Sequence, residues 1–148
     1  MPRSSSRKRF APAALAWLGL ALLSAIGCGK AEPERIAVHP VKGQVLLAGK
    51  PAAGAVVVFH PKAPGAFPPP RAQADKDGNY SVTTFKTADG APLGEYVITV
   101  ELRALVEKGG EYIAGPNQVP AQYSEVRTSK LVASVVEGEN QVPIKIVR

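Results

Sequence analysis

Apolar and polar positions alternate along most of residues 38–148, and a period of two is the spacing of side chains on the two faces of a β-strand. The clearest stretch is GEYVITVEL at residues 94–102. The pattern predicts an inward face formed by Tyr96, Ile98, Val100 and Leu102. It predicts a solvent face formed by Glu95, Thr99 and Glu101. No segment of this part shows a sustained helical period of 3.6.

The same patterning predicts seven short strands. These are Val41–Leu47, Ala55–His60, Arg71–Ala74, Tyr80–Thr84, Gly94–Leu102, Ser129–Val136 and Gln141–Val147. The second strand is apolar at almost every position, so we expect it to be central and covered on both faces. The last two strands are expected to pair around residues 137–140. Pro143 favours an edge position or a bulge for the final strand.

Turn-forming residues separate these strands, and the chain holds 14 glycines and 14 prolines. Ala48–Pro51 and Asp75–Asn79 are typical of tight turns. Pro61–Pro70 is predicted to be a loop, because proline lacks the N–H that a ladder needs. A long connection follows from Arg103 to about Thr128, and we expect at most a weak strand or a helical turn near Ala104–Lys108. The hydroxyl of Tyr96 or Tyr80 is expected to bond a backbone group at a sheet corner.

Many short strands with Gly/Pro-rich turns predict an all-β sandwich or barrel. The stretches VKGQVLLAGKPAAGAVVVFHP, DKDGNYSV and PLGEYVITV resemble the carboxypeptidase regulatory-like domain. The later stretch VPAQYSEVRTSKLVASVVEGENQVPIKIV is similar to the C-terminal half of small bacterial lipoproteins with this domain. The resemblance covers residues 38–148. It implies a seven-stranded antiparallel Greek-key β-sandwich of the transthyretin (prealbumin) type.

The first 27 residues differ from the rest. Met1–Arg9 is basic without an acid, and Phe10–Gly27 carries no charge and ends in small residues. This order is typical of a helical secretory signal peptide. A transmembrane anchor is the alternative, but the uncharged run of 18 residues is short for a span of roughly 20. The run Ser6–Phe10 is loosely similar to a twin-arginine signal.

The single cysteine, Cys28, directly follows the predicted cleavage region. Ala25-Ile26-Gly27-Cys28 resembles a bacterial lipobox, which implies lipidation of Cys28 and cleavage by signal peptidase II. Ala25 stands where the lipobox usually has Leu, so cleavage by signal peptidase I and a free thiol remain open. Two or more acyl chains would hold the protein at a membrane. Residues 28–37 would then be a lipid-linked tether, and residues 38–148 the domain.

Charge gives no indication of a nucleic-acid partner. The formal net charge is +6, but residues 1–27 hold four of the 18 Lys and Arg and none of the 12 Asp and Glu. The mature chain would therefore be near +2. A nucleic-acid surface needs a basic stripe or patch, and the remaining charges of both signs are interspersed.

No catalytic, cofactor-binding or metal-binding constellation is expected. Asp75, Asp77 and Asn79 superficially resemble a calcium loop, but the glycine and the final acid of that loop are misplaced. His39 and His60 each precede a proline and are expected to be structural, since zinc needs three or four suitably spaced ligands. The transthyretin-like fold includes hydroxyisourate hydrolase, but this chain lacks the C-terminal Tyr-Arg-Gly-Ser of that family.

The long connection holds the best candidates for a contact surface, which are Tyr112, Ile113, Val119 and Tyr123. Aromatic side chains on loops often mark binding sites. The alternative is that this segment folds back and caps the open end of the sandwich. The sequence thus favours a membrane-tethered, non-catalytic interaction or structural module of the cell envelope. A small-ligand or carbohydrate-binding domain is the second interpretation, and a divergent transthyretin-like hydrolase is a weaker third.

Overall fold

A computed structural model describes residues 36–147 of the chain. Their regular structure is almost entirely β. The strands are β1 Val41–Leu47, β2 Lys50–Pro51, β3 Val56–Pro61, β4 Arg71–Gln73, β5 Asn79–Ser81, β6 Gly94–Glu101, β7 Arg103–Lys108, β8 Glu111–Asn117, β9 Val132–Val135, β10 Asn140–Gln141 and β11 Ile144–Ile146. One 3-10 helix lies at Ala121–Tyr123. The prediction of an all-β domain is therefore confirmed.

The first sheet is built around β1. On one side β1 pairs with β2 and β5, both antiparallel. On the other side it pairs with β10 and β11, both parallel. The prediction of a purely antiparallel sandwich is wrong at this point. The two C-terminal strands lie along one edge of the sheet and are separated at Val142 and Pro143, as the missing N–H of the proline predicts.

The second sheet has the strand order β4-β3-β6-β9 and is antiparallel throughout. Here β9 pairs with β6, whereas β10 and β11 pair with β1 in the other sheet. The predicted pairing of the last two strands is therefore wrong. The loop at residues 136–139 instead carries the chain from one sheet to the other. Asn140 stabilises this loop, because its side chain bonds the backbone of Val136 and Gly138.

The two sheets pack their apolar faces on one core, which gives a sandwich-like fold. Val41, Val45 and Leu47 face it from β1, as the alternation predicts. The Phe59 ring on β3 contacts Tyr96 of β6 edge-on, with ring centroids 5.9 Å apart. It also contacts Tyr80 across the core, at 6.5 Å. Aromatic residues therefore join the two layers.

Both core tyrosines bond backbone carbonyls. The Tyr96 hydroxyl donates to the Pro92 oxygen at 2.7 Å, and the Tyr80 hydroxyl donates to the Val142 oxygen at 2.5 Å. The prediction of a tyrosine bonded at a sheet corner is confirmed. Tyr80 reaches Val142 by crossing over Gly43, its partner on β1. A Cβ at Gly43 would collide with the Val142 carbonyl and lie 2.9 Å from the Tyr80 ring.

Two predictions about side-chain direction need correction. Val56 on β3 is half-exposed, so only one face of this central strand is fully covered. Thr99 on β6 is buried, although the alternation assigns it to the solvent face. Its hydroxyl lies 2.9 Å from His60 Nε2, so a hydrogen bond satisfies both polar groups on the outer side of the second sheet.

Candidate functional site

The strands β7 and β8 form a hairpin that the sequence analysis treats as a largely irregular connection. Gly109 and Gly110 join them with φ values of 65° and 86°. A two-residue turn with both φ values positive matches the right-handed twist of the strands and favours glycine at both positions. Lys108 pairs with Glu111 directly at the turn. We refer to Arg103–Asn117 as the hairpin.

The hairpin projects beyond the end of the second sheet. Its first strand continues β6 after Leu102. The neighbouring strand β3 begins at Val56, which lies opposite Glu101, so β3 does not accompany β7. Lys108 lies 14 residues after Gly94, and about 3.3 Å per residue gives a ribbon of roughly 45 Å.

Asn117 fixes the base of the hairpin. Its Oδ1 accepts hydrogen bonds from the backbone N–H groups of Leu102 and Val119. Its Nδ2 donates to Ser124 Oγ at 2.6 Å, and that hydroxyl donates to the Val100 oxygen. The base is therefore well defined by bonds to the sandwich.

Apolar side chains lie on both faces of the hairpin. Residues opposite each other in an antiparallel pair share a face. Val106 lies opposite Ile113, and these side chains are 40% and 41% exposed. Leu105 and Tyr112 occupy the other face and are 71% and 72% exposed. Two strands alone have no interior in which to bury such groups.

The structure separates the four predicted contact residues into two sets. Tyr112 and Ile113 are exposed on β8, where a partner could reach them. Val119 is only 4% exposed, so its assignment to the contact surface is wrong. Tyr123 is partly buried in the 3-10 helix and packs against the core. The segment after the hairpin therefore folds back on the sandwich, which was the alternative interpretation.

Sequence reasoning missed Leu105 and Val106 as members of this surface. The signal was available in RALVEKGGEYIAG, where two apolar-containing runs flank Gly-Gly. Such a dipeptide between two strand-like runs is a hairpin signal. The sequence analysis predicts strands from the alternation of apolar and polar residues. Both faces of the hairpin carry apolar groups, so this alternation is missing there.

A groove of about 690 Å³ lies on the first sheet, away from the hairpin. Most of the residues that line it carry uncharged amide or hydroxyl side chains. They belong to Gln44, Gln73, Asn79, Ser81, Thr83, Thr87 and Gln141. Lys42 and Asp75 add one charge of each sign. The Tyr80 ring borders the groove but is buried, with only 4% exposure.

Several titratable groups outside the hairpin have structural partners. Asp75 Oδ1 accepts hydrogen bonds from the backbone N–H groups of Asp77 and Asn79, which closes the predicted turn. His39 Nδ1 accepts a hydrogen bond from the Gly138 N–H. Burial lowers the pKa of His60, which disfavours its charged form.

Asp89 organises the loop before β6. Its carboxylate accepts hydrogen bonds from the backbone N–H groups of Thr84, Phe85 and Lys86. Burial alone would raise the pKa of Asp89, but these hydrogen bonds outweigh it and lower that pKa below its ordinary value.

Neither a metal-ligand cluster nor a membrane-spanning helix is found in the described part of the chain. Among residues 36–147, no three His, Cys, Asp or Glu side chains are grouped as ligands of a metal ion. No helix within these residues has the length and hydropathy to cross a bilayer. Cys28 and the predicted signal peptide lie outside the described residues.

Comparison with known proteins finds likeness in fold only. No protein-family model and no curated protein matches the chain. A candidate carbohydrate binding protein from Pseudomonas aeruginosa is 17% identical, with a TM-score of 0.42 over 78% of this chain and 91% of that one. A DUF3823 family protein from Parabacteroides merdae is 11% identical, with a TM-score of 0.40 over 76% and 47%.

A 9R-lipoxygenase from Cyanothece is 13% identical, with a TM-score of 0.40 over 76% of this chain and 16% of that one. At such identities and TM-scores these neighbours carry no argument about fold or activity.

Proposed function

We propose that the protein is an exported lipoprotein whose domain is a non-catalytic interaction module, and that the module contacts a protein partner through the hairpin. The observation that carries this proposal is the exposure of Leu105, Val106, Tyr112 and Ile113 on a ribbon outside the core. Exposed apolar clusters of this kind mark interaction surfaces. Aromatic residues such as Tyr112 are enriched at the centres of protein interfaces.

The energetics favour a contact role over a folding role. Full burial of one such side chain is worth about 1.5–3 kcal/mol. While it is uncovered, the hairpin forgoes most of that gain for Leu105 and Tyr112 and a smaller part of it for Val106 and Ile113. A partner that covers one face would recover a part of it, and the bonds of Asn117 already hold the base in position.

The absence of catalysis is part of the proposal. It is supported by the structural use of the groups that acid–base chemistry would need. Asp75 and Asp89 accept hydrogen bonds from their own loops, and His39 and His60 bond Gly138 and Thr99. We also propose the transthyretin-like type for the sandwich, because the stretches that carry the resemblance form β1 to β3, β5 and β6.

The start of the described chain, near His39, and the hairpin lie at opposite ends of the domain. His39 forms a bridge with Ala91, three residues before β6 begins. We call this end, which includes Gly138, the N-terminal pole. β6 runs from there to the far end and continues into β7. The hairpin thus extends from the end of the domain opposite His39.

The anchoring proposal predicts the effect of Cys28→Ser. This variant lacks the thiol that would carry the lipid, and we expect it to move from the membrane fraction to the soluble fraction. Ser24→Ala, four residues before the cysteine, is the matched control and should stay with the membrane. Fractionation with immunodetection measures the distribution, and the intact mass of the wild-type chain reports any lipid. Retention of Cys28→Ser in the membrane would contradict lipid anchoring.

The hairpin proposal predicts site-specific cross-linking in cells. We expect p-benzoylphenylalanine in place of Tyr112 to form one discrete adduct after irradiation, because this side chain would lie inside the contact. The same group in place of Lys76, an exposed residue of the turn before β5, should form none. Mass spectrometry of the adduct identifies the partner. Equal labelling from both positions, or no adduct from position 112, would overturn the proposal.

A further inference from the structure

Among residues 36–147, no strand pairs with the outer edges of the hairpin, and the backbone groups along these edges follow a defined pattern. In an antiparallel pair, residues alternate between bonding the partner strand and facing away from it. The two-residue turn makes Lys108 and Glu111 a bonded pair, so Val106 also faces β8. Leu102 fits the same alternation, since its oxygen accepts a hydrogen bond from the Gln118 N–H on the side of β8. Leu105 and Glu107 therefore direct their N–H and C=O groups outward.

The two outer edges of the hairpin differ in their capacity to accept another strand. β8 contains Pro116, which lacks an N–H donor. β7 has neither proline nor glycine from Arg103 to Lys108, and every one of its residues is exposed. The β7 edge is therefore the one that can extend the hairpin.

We propose that a second copy of this chain occupies the β7 edge, so that two β7 strands pair antiparallel about a two-fold axis. This inference rests on the proposed role of the hairpin in contacts. It yields a four-stranded sheet with the order β8-β7-β7-β8. A C2 contact of this kind is self-complementary, as is usual for homodimers.

The surroundings of β7 leave one register for this pairing. Outward-facing residues must oppose each other, which for Leu105 and Glu107 permits Leu105 opposite Leu105, Leu105 opposite Glu107, or Glu107 opposite Glu107. In the first arrangement Gly109 of one copy would lie opposite Glu101 of the other copy. Val56 of that other copy already pairs with Glu101, so the two chains would collide. Registers that pair Arg103 with itself or with Leu105 would extend still further along β6 into the place of β3 and are excluded. In the third arrangement two like charges would face each other, which is unfavourable. The register with Leu105 opposite Glu107 of the second copy remains.

This register joins apolar groups across the axis. Val106 lies opposite Val106 of the second copy, and Ile113 flanks each of them on β8. One face of the new sheet thus carries an unbroken apolar row across four strands. Lys108 lies opposite Ala104, so no like charges meet. The contact is small, and we expect a weak pair that anchoring on one membrane would strengthen by raising the local concentration.

Disulfide trapping in native membranes tests this register. Val106 would form a non-bonded pair with its copy, with Cα atoms about 4.5 Å apart, which is within the range of a disulfide. We expect Val106→Cys in the full chain to form a covalent dimer under mild oxidation. Ile113→Cys is the matched control, because its exposure is almost the same but its copy would lie three strand spacings, about 14 Å, away.

The expected result is at least about ten times more dimer from Val106→Cys than from Ile113→Cys at equal expression, since only the former meets the Cα distance criterion. The wild-type chain, which retains Cys28, gives the background. Circular dichroism of both variants confirms folding. Equal yields, or no dimer from Val106→Cys, would overturn the pairing. If Val106→Cys gives no dimer but the Tyr112 adduct contains a different protein, the proposed function stands and only this inference fails.

Discussion

Single hydrogen bonds at buried positions define the ends of the sandwich. Tyr96 is almost fully buried, yet its hydroxyl meets the Pro92 carbonyl four residues earlier in the chain. The bond fixes the loop before β6 to the strand itself. Burial raises the pKa of Tyr96, so the phenol stays protonated and remains a donor over the physiological range.

Tyr96→Phe should lower the free energy of unfolding by about 1–2 kcal/mol, because the Pro92 oxygen loses its buried donor while the ring packing is kept. Urea denaturation followed by circular dichroism measures the change. Tyr112→Phe removes the same hydroxyl at an exposed position and should change the stability by less than about 0.5 kcal/mol. Equal losses in the two variants would contradict the role assigned to the Tyr96 bond.

Residue-level features were predictable where one residue determines the local conformation. Asp75–Asn79 forms the predicted turn because the Asp75 carboxylate bonds its own backbone and Gly78 accepts a φ of 78°. Val119 was assigned wrongly, because its burial depends on how the segment after the hairpin returns to the core. Nothing in the sequence around Val119 reports that return.

At the scale of the element, β1 is the organising strand of the first sheet. It has partners on both sides, and Gly43 at its middle provides the space through which Tyr80 reaches Val142. A glycine inside a strand often marks such a close approach. The position of β1 therefore depends on the absence of one side chain.

Gly43→Ala should destabilise the domain by roughly 3 kcal/mol, because the new Cβ collides with the Val142 carbonyl and the Tyr80 ring. Gly49→Ala is the comparison, since its Cβ would have nothing within 4 Å but its φ of 79° strains any L-residue. We expect roughly 1 kcal/mol for that variant. Thermal unfolding of both variants shows which one loses more stability. A smaller loss at Gly43 than at Gly49 would contradict the close approach of the Val142 carbonyl to Gly43.

Element boundaries were predictable where apolar and polar residues alternate along the chain, as in β1 and β6. Which strands pair with each other was harder to predict from the sequence. β9 and β10 are neighbours in sequence but belong to different sheets, and a local pattern contains no information on that choice. The hairpin was missed for a related reason, since both of its faces carry exposed apolar groups.

At the scale of the whole domain, the residues that stabilise the fold are separate from the hairpin that we propose as the contact surface. The core is shared by the two sheets, and no core residue lies between Arg103 and Asn117. The N-terminal pole lies at the start of β6, and the hairpin extends from the far end. Such a division would let the hairpin sequence adapt to a partner without loss of the fold.

Amide hydrogen exchange along β7 tests most directly whether the hairpin engages a partner through its β7 edge. We expect the outward-facing N–H groups of Leu105 and Glu107 to exchange at least about ten times more slowly in native membranes than in the purified chain at high dilution, because a paired amide must open before it exchanges. The Ile98 N–H, bonded to Leu131 within the sandwich, should exchange equally in both. Identical exchange of Leu105 and Glu107 in both preparations would contradict a partner strand on the β7 edge.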